Sequence, residues 1–288
     1  VSGRSCFQRF VRGLFTLCSH YLKKPRSSES FLVRKLLLCA RYRRLTHKRN
    51  KAMSSIQDDR GYNQGFALVK STEVRMRRRA DWICREMNFH PNTQILEIGC
   101  GTGEVSKWIA EHTRAHVLGT DLCEPFIASA QKKYQLPKLS YEVLDFHNQE
   151  ALRGRKFDYI VGNGILHHLY PTLSDDLSTL RSLINKGGKI IFLEPNIRNP
   201  YVRAIFSVSI LRKWAHLEPD EMAFSKKYIE KALRDTEYKN IIVDYKDFLL
   251  PGMPEVFIPS SIAIGDIAEK LPFVRCMSQS LFICAEVQ

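Results

Sequence analysis

No Cys-x-x-Cys pair occurs in this 288-residue chain, although it holds eight cysteines. Cys6, Cys18, Cys39, Cys84, Cys100, Cys123, Cys276 and Cys284 are scattered, which excludes a zinc ribbon or a thioredoxin-type centre. Scattered thiols in a chain of this size fit a reducing, cytoplasmic setting. Long apolar runs are also missing. The stretch "FLVRKLLLCA" at 31–40 is too short and too charged to span a bilayer. Lys and Arg interrupt every apolar run near the start, so no secretory signal is expected. There is no internal repeat.

Acidic residues are almost absent from one region only. Residues 1–52 hold 14 Lys and Arg against the single acid Glu29, a net of +13. Residues 53–288 hold the other 30 basic residues against 29 acidic ones, so the whole-chain charge of +14 belongs to a tail. A nucleic-acid partner is therefore not expected for the nearly neutral remainder. The tail begins with Val1, and the first methionine is Met53. An over-extended start is the favoured reading of 1–52, with translation from Met53. A transit peptide or a basic arm for RNA or a membrane surface are the others. Peripheral membrane contact stays open as a partner, as does oligomeric state.

What remains is rich enough in apolar residues, 44%, for one sizeable core. From Thr93 onward short apolar strands alternate with amphipathic helices. The strands are expected at 94–98, 116–121, 140–145, 157–162 and 189–194, and the helices near 103–113, 123–134 and 174–185. That rhythm predicts parallel βαβ units. "NKGGKI" reads as a helix stop followed by a tight turn. "KNIIVDYKDFL" and "SQSLFICAEV" read as two more strands joined by a long connection. Before the first strand, 66–87 reads as one or two helices, with Arg75, Arg77, Arg78 and Arg79 on a solvated face.

"QILEIGCGTGEV", residues 94–105, sets a strand against three glycines. A redox dinucleotide turn wants Gly-x-Gly-x-x-Gly, with its third glycine close beneath the pyrophosphate. Here that position is Glu104, and a carboxylate beside a pyrophosphate is unfavourable. The turn suits a ligand without a diphosphate.

"LEIGCGTG" resembles motif I of the class I S-adenosylmethionine-dependent methyltransferases, with Glu97 as the acid ahead of Gly99, Gly101 and Gly103. The resemblance implies a doubly wound, seven-stranded, mostly parallel α/β sheet of Rossmann-like type. It also implies S-adenosylmethionine as cofactor, with the backbone of Gly99, Cys100 and Gly101 under its methionine part. Asp121, followed by Leu122, is placed to accept from the ribose hydroxyls. Asp145 and Phe146 in "VLDFHN" correspond to the acid that accepts from the adenine amino group. Asn163 in "FDYIVGNGILHHLY" falls at the cofactor edge. The match covers residues 91–195 well and the rest by topology only.

Further absences narrow the acceptor. No Asn-Pro-Pro-aromatic motif follows the fourth strand, and no Pro-Cys nucleophile occurs there. The remaining resemblance is to enzymes with His-His-Leu after strand four, which act mostly on small molecules. His167 or His168 is a candidate general base, His168 the preferred one, since an imidazole titrates near neutrality. The other reading is that the pair only shapes the pocket. No metal ligand set is expected.

The segments 197–225 and 251–277 read as cap elements over the acceptor. "YVRAIFSVSILRKWAH" is expected to be a lid helix carrying Phe206, Ile210, Leu211 and Trp214. Glu194 and Asn196 are placed to line the acceptor pocket. The organisation expected is a tail at 1–52, a helical segment at 53–90 and a methyltransferase domain at 91–288. The rival functions are an RNA-directed methyltransferase using the tail, a dinucleotide-binding oxidoreductase, and a catalytically silent fold.

Overall fold

The computed structural model describes residues 69–148 and 150–288, together with the backbone but not the side chain of Trp214. The readings made for the tail, and for the part of the helical segment before residue 69, lie outside these residues.

The first element is α1, Lys70–Arg85. Five parallel strands then follow, interleaved with helices: β1 (Gln94–Ile98), α2 (Glu104–His112), β2 (His116–Asp121), α3 (Glu124–Lys133), β3 (Leu139–Val143), β4 (Phe157–Asn163), α4 (Leu173–Ser182) and β5 (Ile184–Pro195). A 3-10 segment, Leu166–Thr172, separates β4 from α4. After β5 come α5 (Pro200–Ser207), α6 (Ser209–Trp214), α7 (Lys226–Asp235), β6 (Lys239–Lys246), α8 (Ile258–Ala268) and β7 (Ser280–Glu286). Among the described residues no helix is long and apolar enough to cross a membrane.

The strands form one seven-stranded sheet in the order β3-β2-β1-β4-β5-β7-β6. The first five are parallel, and β7 inserts antiparallel between β5 and β6. Strand order reverses between β1 and β4. In an open sheet of this kind a crevice opens there, beyond the carboxyl ends of the strands.

Alternation along each strand builds two core layers. Leu96, Ile98, Ile160, Ile190 and Phe192 face α4 and α7. Ile95, Val117, Val161, Ile191 and Leu193 face α1 and α2. The strands are buried on both faces, so they read as near-continuous apolar runs.

Four expectations need correction. The fifth strand starts at Ile184, not at 189, and "NKGG" lies within it. Pairing jumps from Phe157–Ile184 to Tyr159–Lys189, and Gly187 takes φ +81° to accommodate the bulge. The third strand ends at Val143, leaving Asp145 in the following loop. The lid is two helices, because the extended Val208 breaks it. The basic run of α1 is not a solvated face throughout. Arg75 and Arg79 turn inward onto Asp247, whereas Arg77 pairs with Glu73 on the surface.

Candidate methyl-donor site

The glycine turn leaves β1 at the reversal point. Gly99, Gly101 and Gly103 all have positive φ. A Cβ on Gly99 would lie 2.6 Å from Ile165 Cδ1, so the turn can approach the loop after β4 only without a side chain there. A Cβ on Gly101 would meet nothing within 4 Å. The backbone at Gly101 thus borders open space at the mouth of the crevice, the kind of cradle an extended polar ligand needs.

Asp121 ends β2 beside this turn. Its carboxylate accepts from Gly101 N at 2.8 Å and from Cys123 N at 2.9 Å. Leu144 N donates to Asp121 O, which sets the loop after β3 against the end of β2. Leu122 is half exposed, and Phe146 is buried. Asp145 is exposed and accepts from the backbone N and the ring Nδ1 of His147. His147 Nε2 meets Asp176 at 2.5 Å. Burial works to lower the His147 pKa, but its bonds to Asp176 and Asp145 outweigh that and raise it.

Glu97 is placed differently from a simple cation-binding acid. It is 1% exposed and accepts a hydrogen bond from Ser106 Oγ at the start of α2. Burial pushes its pKa up to about 8, against the opposing effect of Ser106. The Cys100 thiol is likewise pushed well above its usual value by burial, consistent with a small inert residue rather than a nucleophile. Glu104 does not face the turn freely. It accepts from Thr102 Oγ1 and pairs with Lys133 at 3.0 Å.

Asn163 closes β4 at the same edge. Its Oδ1 accepts from Arg79 Nη1 at 2.7 Å. The same guanidinium holds Asp247 and Ser280, joining α1, β4 and the ends of β6 and β7. Burial lowers the Arg79 pKa to about 10. Sequence reasoning missed this role, because Asp247 lies 168 residues away.

The histidine pair sits in the loop after β4, with ring centroids 4.3 Å apart. Both oxygens of Glu194 are committed to that loop: it accepts from Ile165 N, Leu166 N and His167 N, and lies 2.9 Å from His167 Nδ1. Glu194 is therefore a buried anchor and not a lining group. Asn196 is also fully buried, donating to Cys276 O and Ser278 O. The acceptor-lining role expected of these two residues is not what the structure gives them.

His168 Nδ1 is 2.8 Å from Glu221 Oε1 and 3.6 Å from Glu218. Burial works to lower the His168 pKa, but Glu221, with Glu218 and Glu194 behind it, raises it above the ordinary value. Burial works to raise Glu221, but His168 and His167 hold it low. Its other oxygen, Oε2, is buried with no hydrogen-bond partner. Glu221 was not singled out from the sequence, though "EPDE" at 218–221 is the cap's only acidic cluster.

The open doubly wound sheet, with the glycine turn and Asp121 at its reversal point, defines the class I methyltransferase architecture. Residues 96–190 match the family described as a methyltransferase domain. The match covers about a third of the chain, and it makes that stretch similar to a methyltransferase domain. It resembles the highly reducing polyketide synthase ALT1 of Alternaria alternata, 27% identical over 66% of this chain and 8% of that protein. It also resembles the hybrid synthetase thnA of Trichoderma harzianum, 26% identical over 67% of this chain and 5% of that one. The chain thus spans less than a tenth of the length of these curated relatives. Among solved structures, the CurJ carbon methyltransferase superposes with a TM-score of 0.53 at 21% identity, covering 77% of this chain and 56% of that one. A methyltransferase from Archaeoglobus fulgidus gives 0.52 at 18% identity, covering 74% and 94%. These superpositions show the fold.

Proposed function

We propose that this chain moves a methyl group from S-adenosylmethionine to a hydroxyl, amine or carbon nucleophile of a small, lipophilic molecule. The open backbone face at Gly101, beside Asp121 at the strand reversal, carries the reading. The bound cofactor supplies an electrophilic methyl on a sulfonium centre.

The chain's own residues then have distinct tasks. Backbone around Gly99, Cys100, Gly101 and Gly103 would hold the cofactor's amino-acid end, with Glu97 buried behind the turn on Ser106. Asp121, which accepts from Gly101 N here, would accept from the ribose hydroxyls, with Leu122 alongside. Asp145 and Phe146 take the adenine, and Asn163 fixes the edge of the crevice. Alignment of the acceptor with the methyl does most of the work. His168 is the base at the acceptor side: Glu221 stabilises the imidazolium formed when Nε2 takes a proton. His167, tied to Glu194, holds the loop in register.

The segments 197–225 and 251–277 form the acceptor cap of a methyltransferase domain at 91–288, with helix α1 ahead of it. A polyketide synthase and a carbon methyltransferase among the similar proteins support carbon as one of the candidate nucleophiles. Calorimetric titration with S-adenosylhomocysteine and with NADH tests the cofactor. Binding of NADH alone would overturn the proposal. Release of S-adenosylhomocysteine across a panel of phenols, amines and β-ketothioesters then identifies the acceptor.

A further inference from the structure

A helix that is apolar all round is ordinarily buried. Helix α8 breaks that rule. Its inner face, Ile258, Gly265 and Ala268, packs on the fold, and Gly265 fits tightly against Phe248. Its outer face is equally apolar. Phe257, Ile264, Ile267 and Leu271 fall at helical spacing on that side and are all exposed, Ile264 at 68%. Phe273, just beyond the helix, is 91% exposed. Single exposed apolar residues are common, but a run of them at helical spacing marks an interaction surface.

Beyond the helix the charge is positive, while Glu255 ahead of it and Asp266 within it are exposed acids. Lys270 and Arg275 are exposed on either side of Phe273, and residues 270–277 contain no acid. The two acids of α8 and its end are engaged: Asp266 pairs with Arg78, and Glu269 with Lys246. In the other half of the cap Arg198, Arg203 and Lys213 are exposed beside Val208 and Ile210, whereas Arg212 donates to the carbonyls of Phe206, Glu218, Pro219 and Glu221, and the acids Glu218, Asp220 and Glu221 follow. The two halves are joined where Asn199 Nδ2 donates to Met277 O. Both lie past the carboxyl ends of β5 and β6, on the edge of the sheet that bears the glycine turn.

We infer that this face of the cap docks on an anionic lipid bilayer, with α8 and Phe273 in the interface and the flanking Lys and Arg against the headgroups. Apolar side chains interleaved with basic ones are what an interfacial helix presents to such a surface. A protein partner would need acidic complementarity and matching shape; a bilayer needs only negative charge and an apolar layer. Docking here turns the acceptor side of the crevice towards the membrane. The inference concerns binding alone and stands apart from the identity of the methyl donor.

Vesicle flotation of the full chain tests it, using phosphatidylcholine alone and phosphatidylcholine mixed with phosphatidylglycerol. The chain should float with the mixed vesicles and stay behind with the neutral ones. Ile264→Asp with Phe273→Asp should abolish flotation while leaving the melting temperature and S-adenosylhomocysteine binding unchanged, since neither side chain is buried. Lys270→Gln and Arg275→Gln should each weaken it about fivefold. Removal of residues 1–52 should leave the difference between wild type and the double variant in place. Equal flotation of wild type and double variant would overturn the inference, assigning lipid binding to the basic tail. So would failure of wild type to float, or loss of a dimer in the double variant, which would make a second copy the occupant.

Discussion

Asp121 accepts two backbone hydrogen bonds at the point where the glycine turn passes the end of β2. A charged acceptor of this kind contributes about 1.5–3 kcal/mol. Asp121→Ala should therefore weaken S-adenosylhomocysteine binding by at least about tenfold in calorimetry. Unchanged affinity would mean that the ligand does not lie on this carboxylate. His168 and Glu221 make a second prediction. The raised His168 pKa and the lowered Glu221 pKa mean that the pair is stabilising between the two values. The histidine part is complete below the ordinary imidazole value of 6.5 and is lost as pH rises through the raised one. A base must be unprotonated, so activity should rise with pH past that elevated value. Glu221→Gln should move the rising limb to lower pH. It should also cost more melting temperature at about pH 6 than at about pH 9. A pH profile that does not move would remove His168 from the proton transfer.

At the scale of elements, the end of β5 organises the cap. Asn196 supplies donors to two buried carbonyls, Cys276 O and Ser278 O, and Phe224 N bonds back to Pro195 O. Asn196→Ala strands those carbonyls, and the loss should be about 1–3 kcal/mol in urea unfolding. A loss near zero would show that the cap is held by its apolar cluster of Val202, Ile205, Phe206 and Ala223. The strands β1 and β2 could be read to the residue because alternating apolar runs bounded by turn residues admit little else. The helices read near 103–113 and 123–134 run from 104 to 112 and from 124 to 133, each a residue shorter at both ends. The bulge in β5 was not legible, because Gly-Gly reads equally as a turn, and only the pairing of Ile184 with Phe157 and the bonds of Gly187 and Gly188 to Val287 keep 184–188 in the sheet.

Across the whole molecule, Arg79 links elements from both ends of the chain. It holds Asp247, which is almost fully buried; burial works to raise that carboxyl, and Arg75 and Arg79 hold it below the usual range. Removing one partner from a buried ion pair costs up to about 3–5 kcal/mol. Arg79→Met should therefore lower the urea midpoint strongly and release Asn163 at the crevice edge. A loss under about 1 kcal/mol would mean that Arg75 alone satisfies Asp247. The sequence by itself determined the parallel sheet and the chemistry of its turn. Strand periodicity, glycine spacing and the residues at strand ends are local, and local sterics and backbone conformation dictate them. Only the tertiary structure decided the partners of the buried charges. Glu97 finds Ser106, His168 finds Glu221, Glu194 closes the loop after β4, and Arg79 reaches across 168 residues to Asp247. Burial of a charge is stable only with a partner, and which partner is near depends on the packing of the whole sheet. The same packing covers one side of α8 and leaves the other open, a difference that its composition, apolar on both faces, could not reveal.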